Sequence, residues 1–137
     1  MRKIFVLLAI SLVCASSLAA RSIYAYTGDE RLEIALVDNS SADALVDYLK
    51  GGDVTVAMHD YGGFEKVGEL GATLPKNDER ITTVPGDVIL YLGRRIVIYY
   101  DENTWSFTRL GKVKGLGGKD LRRILGKGDV TVRFSLD

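Results

Sequence analysis

Cysteine is almost absent. The chain of 137 residues holds one, Cys14, and it falls in a leader-like stretch at the front. Arg2 and Lys3 make a basic start, and IFVLLAISLV, from Ile4 to Val13, makes an apolar core. That core is shorter than the about 20 apolar residues needed to cross a bilayer, and it has the length of a secretory signal. Ser17 and Ala19 are small residues suited to a cleavage site. Residues 1–19 are therefore assigned to a signal peptide cut after Ala19, with Ala20 as the neighbouring alternative. The bulky Val13 argues against lipid attachment at Cys14. The exported chain, periplasmic or extracellular, would then carry no disulfide, no thiol nucleophile and no thiolate metal ligand.

Other shortages narrow the chemistry further. Histidine occurs once, at His59, so no histidine pair is available for zinc. Its carboxylate neighbours Asp60 and Glu65 match no zinc spacing, and no metal site is expected. No serine sits in a Gly-x-Ser-x-Gly elbow. No Gly-Lys-Ser/Thr follows the glycines, and no flavin-binding motif is present, so no cofactor is expected. Basic and acidic residues balance at 18 each. Loss of Arg2 and Lys3 would leave a mildly acidic chain, a poor match to nucleic acid or an anionic membrane surface. Beyond residue 19 no apolar run is long enough to span a membrane.

What remains is one domain's worth of alternating strands. ARSIYAYTGDER, residues 20–31, looks like a lead-in. RLEIALV (Arg31 to Val37) puts Leu32, Ile34 and Leu36 on one face, a half-buried strand. Asn39 or Ser40 can cap a helix with Ala42, Leu45, Val46 and Leu49 as its apolar stripe, stopped by Gly51 and Gly52. DVTVAM follows as a strand with Val54, Val56 and Met58 inward. TLPKNDER is a polar loop, and Pro85-Gly86-Asp87 a turn. VILYLGRRIVIYY reads as a hairpin, Val88 to Leu92 and Arg95 to Tyr100, with Gly93, Arg94 and Arg95 about its tip. WSFTRLGKV is another strand, a short helix runs from about Lys119 to Leu125, and DVTVRFSL closes the chain. Helix, glycine turn and Asp-Val-Thr-Val thus occur twice, before Met58 and before Phe134. Many short strands and two short helices predict a mainly β fold: a closed barrel of about eight strands, with the helices capping its ends.

Several stretches resemble the bacterial cyclophilin-like domain family. They are DYGGFEKVGELG, LPKNDERITTVPGD, LYLG and SFTRLGK, and the likeness runs from about Leu32 to Leu136, so residues 32–137 are assigned to that domain. The resemblance implies the cyclophilin-like β-barrel. Members of this family also occur beside flavodoxin-type domains, which raises docking on a redox-protein partner as one function. Cyclophilins proper are prolyl isomerases with an arginine inside Phe-His-Arg. That motif is absent here, as is Phe-Met-x-Gln-Gly-Gly, so no catalytic residue transfers.

The residues themselves support two further readings. The first is a binder that takes a peptide or small-molecule ligand beside MHDYGGFEKVGELG, residues 58–71. The second is a prolyl isomerase with a non-standard site. Isomerisation needs an apolar pocket for the ring and a donor aimed at the prolyl nitrogen; it needs no nucleophile or metal. Met58, Tyr61, Phe64, Tyr91, Tyr99 and Trp105 are candidate walls, with Glu65 beside them. Arg109 and His59 are candidate donors. Ordinary barrel packing would explain the aromatics equally, and His59 falls on the outward parity of its strand.

Overall fold

The computed structural model describes residues 21–137. The stretch expected to be a signal peptide, the expected cleavage site and Cys14 lie outside the described residues. Nine strands and two helices follow in order: β1 (Ser22–Thr27), β2 (Glu30–Leu36), α1 (Ser40–Leu49), β3 (Val54–Tyr61), β4 (Glu65–Glu69), β5 (Glu79–Thr82), β6 (Asp87–Tyr91), β7 (Arg95–Tyr99), β8 (Thr104–Val113), α2 (Gly118–Leu125) and β9 (Val130–Ser135). No described helix is long and apolar enough to cross a membrane.

Eight of the strands close on themselves. Neighbours run β2-β1-β9-β3-β4-β7-β6-β8, and a pairing of β2 with β8 completes the ring. The ninth, β5, stands outside it and pairs only with the first half of β8, from Thr104 to Phe107. Closure removes the free edges that an open sheet would expose. The stretch read as a lead-in is mostly β1. Its Ile23 and Ala25 are fully buried, so it is a stave of the barrel. Its alternation is hidden in the sequence because tyrosines occupy the other face.

The repeated Asp-Val-Thr-Val unit explains how both ends are covered. β3 and β9 pair antiparallel, with Val56 opposite Val132, Val54 opposite Phe134 and Met58 opposite Val130. Val56 and Val132 hold the same place in the two copies, so a local two-fold axis passes between them. Each copy is entered from a helix through a glycine turn. Because the strands are antiparallel, the two helices reach opposite mouths of the barrel. Leu45 and Leu49 of α1 and Leu121 and Leu125 of α2 join one apolar core with the inward side chains of the strands. Asn39 caps α1, its Oδ1 accepting from the Ala42 amide at 2.8 Å. Gly117 precedes α2 and supplies no side-chain cap.

One inward position is charged. Lys66 of β4 has no exposed side-chain area, and its ammonium pairs with Asp60 Oδ1 at 2.7 Å. It also donates to the Gly128 carbonyl, in the turn between α2 and β9. Asp60 accepts from the Tyr100 hydroxyl at 2.7 Å and from the Gly128 amide at 2.6 Å. These bonds, from Lys66 first, hold the Asp60 carboxyl down to about 2. The cluster ties β3, β4, the end of β7 and the α2–β9 turn together at one mouth.

Candidate functional site

Alternation sends the other half of the side chains outward, and the register lines them up in rows. Tyr61, Glu65 and Tyr99 stand side by side on β3, β4 and β7. His59, Val67, Val97 and Ile89 form the next row, continuing onto β6. Glu69, Arg95 and Tyr91 form the third. Over this face lies the ribbon made by β5 and the first half of β8. Its Ile81 and Phe107 pack with Val67, Ile89, Val97 and Tyr99 in a second apolar cluster, outside the barrel.

Between ribbon and sheet a cavity of about 790 Å³ stays open. That is within the range of small-molecule sites. Rings form most of its wall. Phe64 stacks on Tyr99 with centroids 6.1 Å apart and planes at 6°, Tyr61 meets Phe64 edge-on, and Tyr99 tilts against Phe107 at 5.8 Å. Such pairings are favourable in their own right and hold the rings in place without a ligand. Tyr61 and Trp105 nevertheless leave 64% and 55% of their surface exposed. Large rings of one cavity left open to solvent mark a surface that gains by being covered.

Glu65 sits among these rings and is only 7% exposed. Burial pushes its carboxyl above the usual range, and a hydrogen bond with Tyr99 and the nearby His59 offset this in part. Burial likewise raises the Tyr99 hydroxyl, which accepts from Asn103 Nδ2 at 3.2 Å. Glu69, at the other end of β4, is paired: Arg95 Nε lies 2.6 Å from it and Arg94 Nε 3.6 Å. The two arginines of the hairpin tip therefore grip a carboxylate of the chain itself. A smaller cleft of about 210 Å³ lies between β3 and β9, so His59 borders both openings. No cluster suited to a metal ion occurs among the described residues.

Of the residues singled out from the sequence, His59, Tyr61, Phe64, Glu65, Tyr91, Tyr99 and Trp105 come together around the large cavity. Two do not. Met58 is 1% exposed and its side chain points into the barrel, as its strand parity requires; it borders the smaller cleft and not the large cavity. Arg109 is claimed elsewhere: its Nη1 donates to Asp87 Oδ1 at 2.8 Å, and Asp87 is almost fully buried. A shift of register between β6 and β8 at Val88 and Ile89 brings that carboxylate within reach. Arg109 is thus a structural partner, and the arginine at the groove is Arg95.

Val67, Glu69, Arg95, Val97, Asn103 and Phe107 line the cavity unforeseen. Parity could have found some of them. Val67 and Glu69 share the face of Glu65, and Val97 that of Tyr99. Both apolar runs of the hairpin are buried on two sides; the outer cover is the β5–β8 ribbon, which no local pattern announces.

A family model described as the Cyclophilin-like family matches residues 25–135. No curated protein matches the chain.

Proposed function

Since the chain belongs to the cyclophilin-like family, whose barrel it has, we propose that it is an exported binding protein that takes a peptide or small ligand in the groove between the β5–β8 ribbon and the β4–β7 face. One observation carries this reading: seven residues chosen from sequence for their chemistry converge on a single open cavity, and two large aromatic side chains there stay exposed. Packing alone would cover them. The floor of Val67, Val97 and Phe107 supplies apolar area, and Asn103, Glu65 and the Tyr99 hydroxyl supply a few fixed polar groups, the usual composition of a ligand site.

The test uses the single tryptophan, Trp105, as a reporter. Proline-containing peptides and neutral aromatic fragments are titrated into the chain, and Trp105 emission is followed. Saturable quenching or a blue shift by members of the panel supports the groove. No response from any member, with no peptide shift in the NMR spectrum, removes it.

Prolyl isomerisation keeps a specific footing, because basic N–H donors line the same apolar groove. His59 is one. Arg95 is the other, although Glu69 already holds it. Catalytic amounts of the chain should then speed cis–trans exchange in X-Pro peptides, measured by NMR exchange spectroscopy, and His59→Ala or Arg95→Ala should abolish the gain. Unchanged exchange across the panel leaves the groove as a binding site only.

A further inference from the structure

The groove has a charge pattern that its aromatic content alone does not explain. Two carboxylates line it. Glu69, the more exposed of the two, is neutralised by Arg94 and Arg95. Glu65, the buried one, has no ion-pair partner within 4.0 Å among the described residues; the Tyr99 hydroxyl and the His59 ring are its polar neighbours. Around it stand Tyr61, Phe64, Tyr99 and, across the cavity, Tyr91 and Trp105. Aromatic faces carry negative potential and attract cations within about 6 Å of the ring. A carboxylate set into a wall of rings adds a full charge of the same sign. Neutral aromatic or prolyl ligands need the rings but gain nothing from Glu65. For them the carboxylate would be a cost of desolvation with no return.

We infer that the groove recognises an organic ammonium group, its methyl or methylene shell against Tyr61, Phe64 and Trp105 and its positive charge toward Glu65. This rests on the groove reading above and names its ligand class. An ammonium shielded by alkyl groups suits the place better than a guanidinium or a metal ion. It cannot form many hydrogen bonds, and few are offered here, whereas a weakly hydrated cation enters an aromatic site at low cost. The cavity is larger than a trimethylammonium head, so the natural ligand would carry an apolar body along Val67, Val97 and Phe107. The groove's own basic side chains do not occupy this place: Arg95 lies in the third row on Glu69, and His59 lies in the second row. The raised Glu65 carboxyl is consistent with a charge waiting for a counter-ion.

The experiment compares choline with 3,3-dimethylbutan-1-ol, which has the same shape with carbon in place of the charged nitrogen. Each is titrated at pH 8, above the usual imidazole range, against Trp105 emission, with sodium chloride matched to choline chloride. Choline is expected to bind at least tenfold more tightly than the alcohol. Glu65→Gln should weaken choline at least tenfold and leave the alcohol within twofold. Tyr61→Leu, at a largely exposed ring whose loss leaves the fold intact, should weaken choline at least fivefold. Equal binding of the two compounds, or choline binding untouched by Glu65→Gln, overturns the cation inference and leaves the groove standing. No choline binding while neutral aromatic fragments still move Trp105 does the same. No response to any of them overturns both.

Discussion

Replacing Asp60 with asparagine should strand a buried charge. Lys66 has no exposed side-chain area, and its two acceptors are Asp60 Oδ1 at 2.7 Å and the Gly128 carbonyl. Asp60→Asn keeps the shape and an amide oxygen for Tyr100 or Gly128 but removes the counter-charge. Breaking one side of a buried ion pair costs about 3–5 kcal/mol. Asp60 itself is 36% exposed, so solvent screening puts the loss near the lower end, about 3 kcal/mol. With an unfolding entropy of about 2 cal/mol/K per residue, a domain of this length should lose roughly 10 °C in Tm. Calorimetry at pH 7 reads that shift. Asp60→Asn combined with Lys66→Met removes the orphan ammonium as well and should recover at least half of the loss. The pH dependence has a definite sign. A carboxyl held down to about 2 contributes stability that is fully present above the unfolded value of about 3.9 and is lost as pH falls through about 2. The wild-type curve should therefore fall more steeply over that window than the variant's. A Tm within about 3 °C of wild type for Asp60→Asn would refute the reasoning, since Lys66 would then have to reach water or another acceptor.

Three smaller tests bear on the fold and the site. Asn39→Ala removes the cap of α1 and a second bond, Asn39 Nδ2 to the Arg109 carbonyl at 2.9 Å; urea unfolding should show a loss of about 1–2 kcal/mol. Gly68→Ala would press a methyl group into the Ala57 carbonyl and the Val56 side chain where β4 crosses β3, and a loss of about 1–3 kcal/mol is expected from the same measurement. Glu65→Gln should stabilise the unliganded chain near neutral pH. A carboxyl raised in the fold favours its protonated form, so native stability falls as pH rises past the unfolded value through the folded one, and glutamine is spared that loss. Below the unfolded value the two proteins should converge. The facing groups are His59 and Tyr61 on β3, Glu69 on β4, Arg95 and Tyr99 on β7, and Tyr91 on β6.

Most of the barrel was legible because period-two alternation is a local property. Val54, Val56 and Met58, and again Val130, Val132 and Phe134, announce their inward face directly, and the repeat even locates the two helices. The aromatic and acidic members of the groove were legible as residue types, and only His59 was legible as outward by its parity. Arg109 was misplaced because its partner, Asp87, is distant in sequence and is brought close by a register shift in β6 and β8. Lys66 gave no warning either: a lysine between Glu65 and Val67 reads as solvated until Asp60 and Gly128 are seen to enclose it. The β5–β8 ribbon is a long-range pairing laid over the outside of a closed sheet, so neither its cover nor Phe107's place in the groove follows from alternation.

The most direct test of the central claim is NMR chemical-shift mapping of the isotopically labelled chain against a panel of proline peptides, neutral aromatic fragments and alkylammonium compounds. A ligand site between ribbon and sheet predicts that the largest shifts fall on the amides of residues 59–69, 91–99 and 103–107, with the Trp105 indole among them. Shifts confined to the opposite side of the barrel, on β1, β2 and β9, would contradict it, and so would the absence of any saturable shift across the panel.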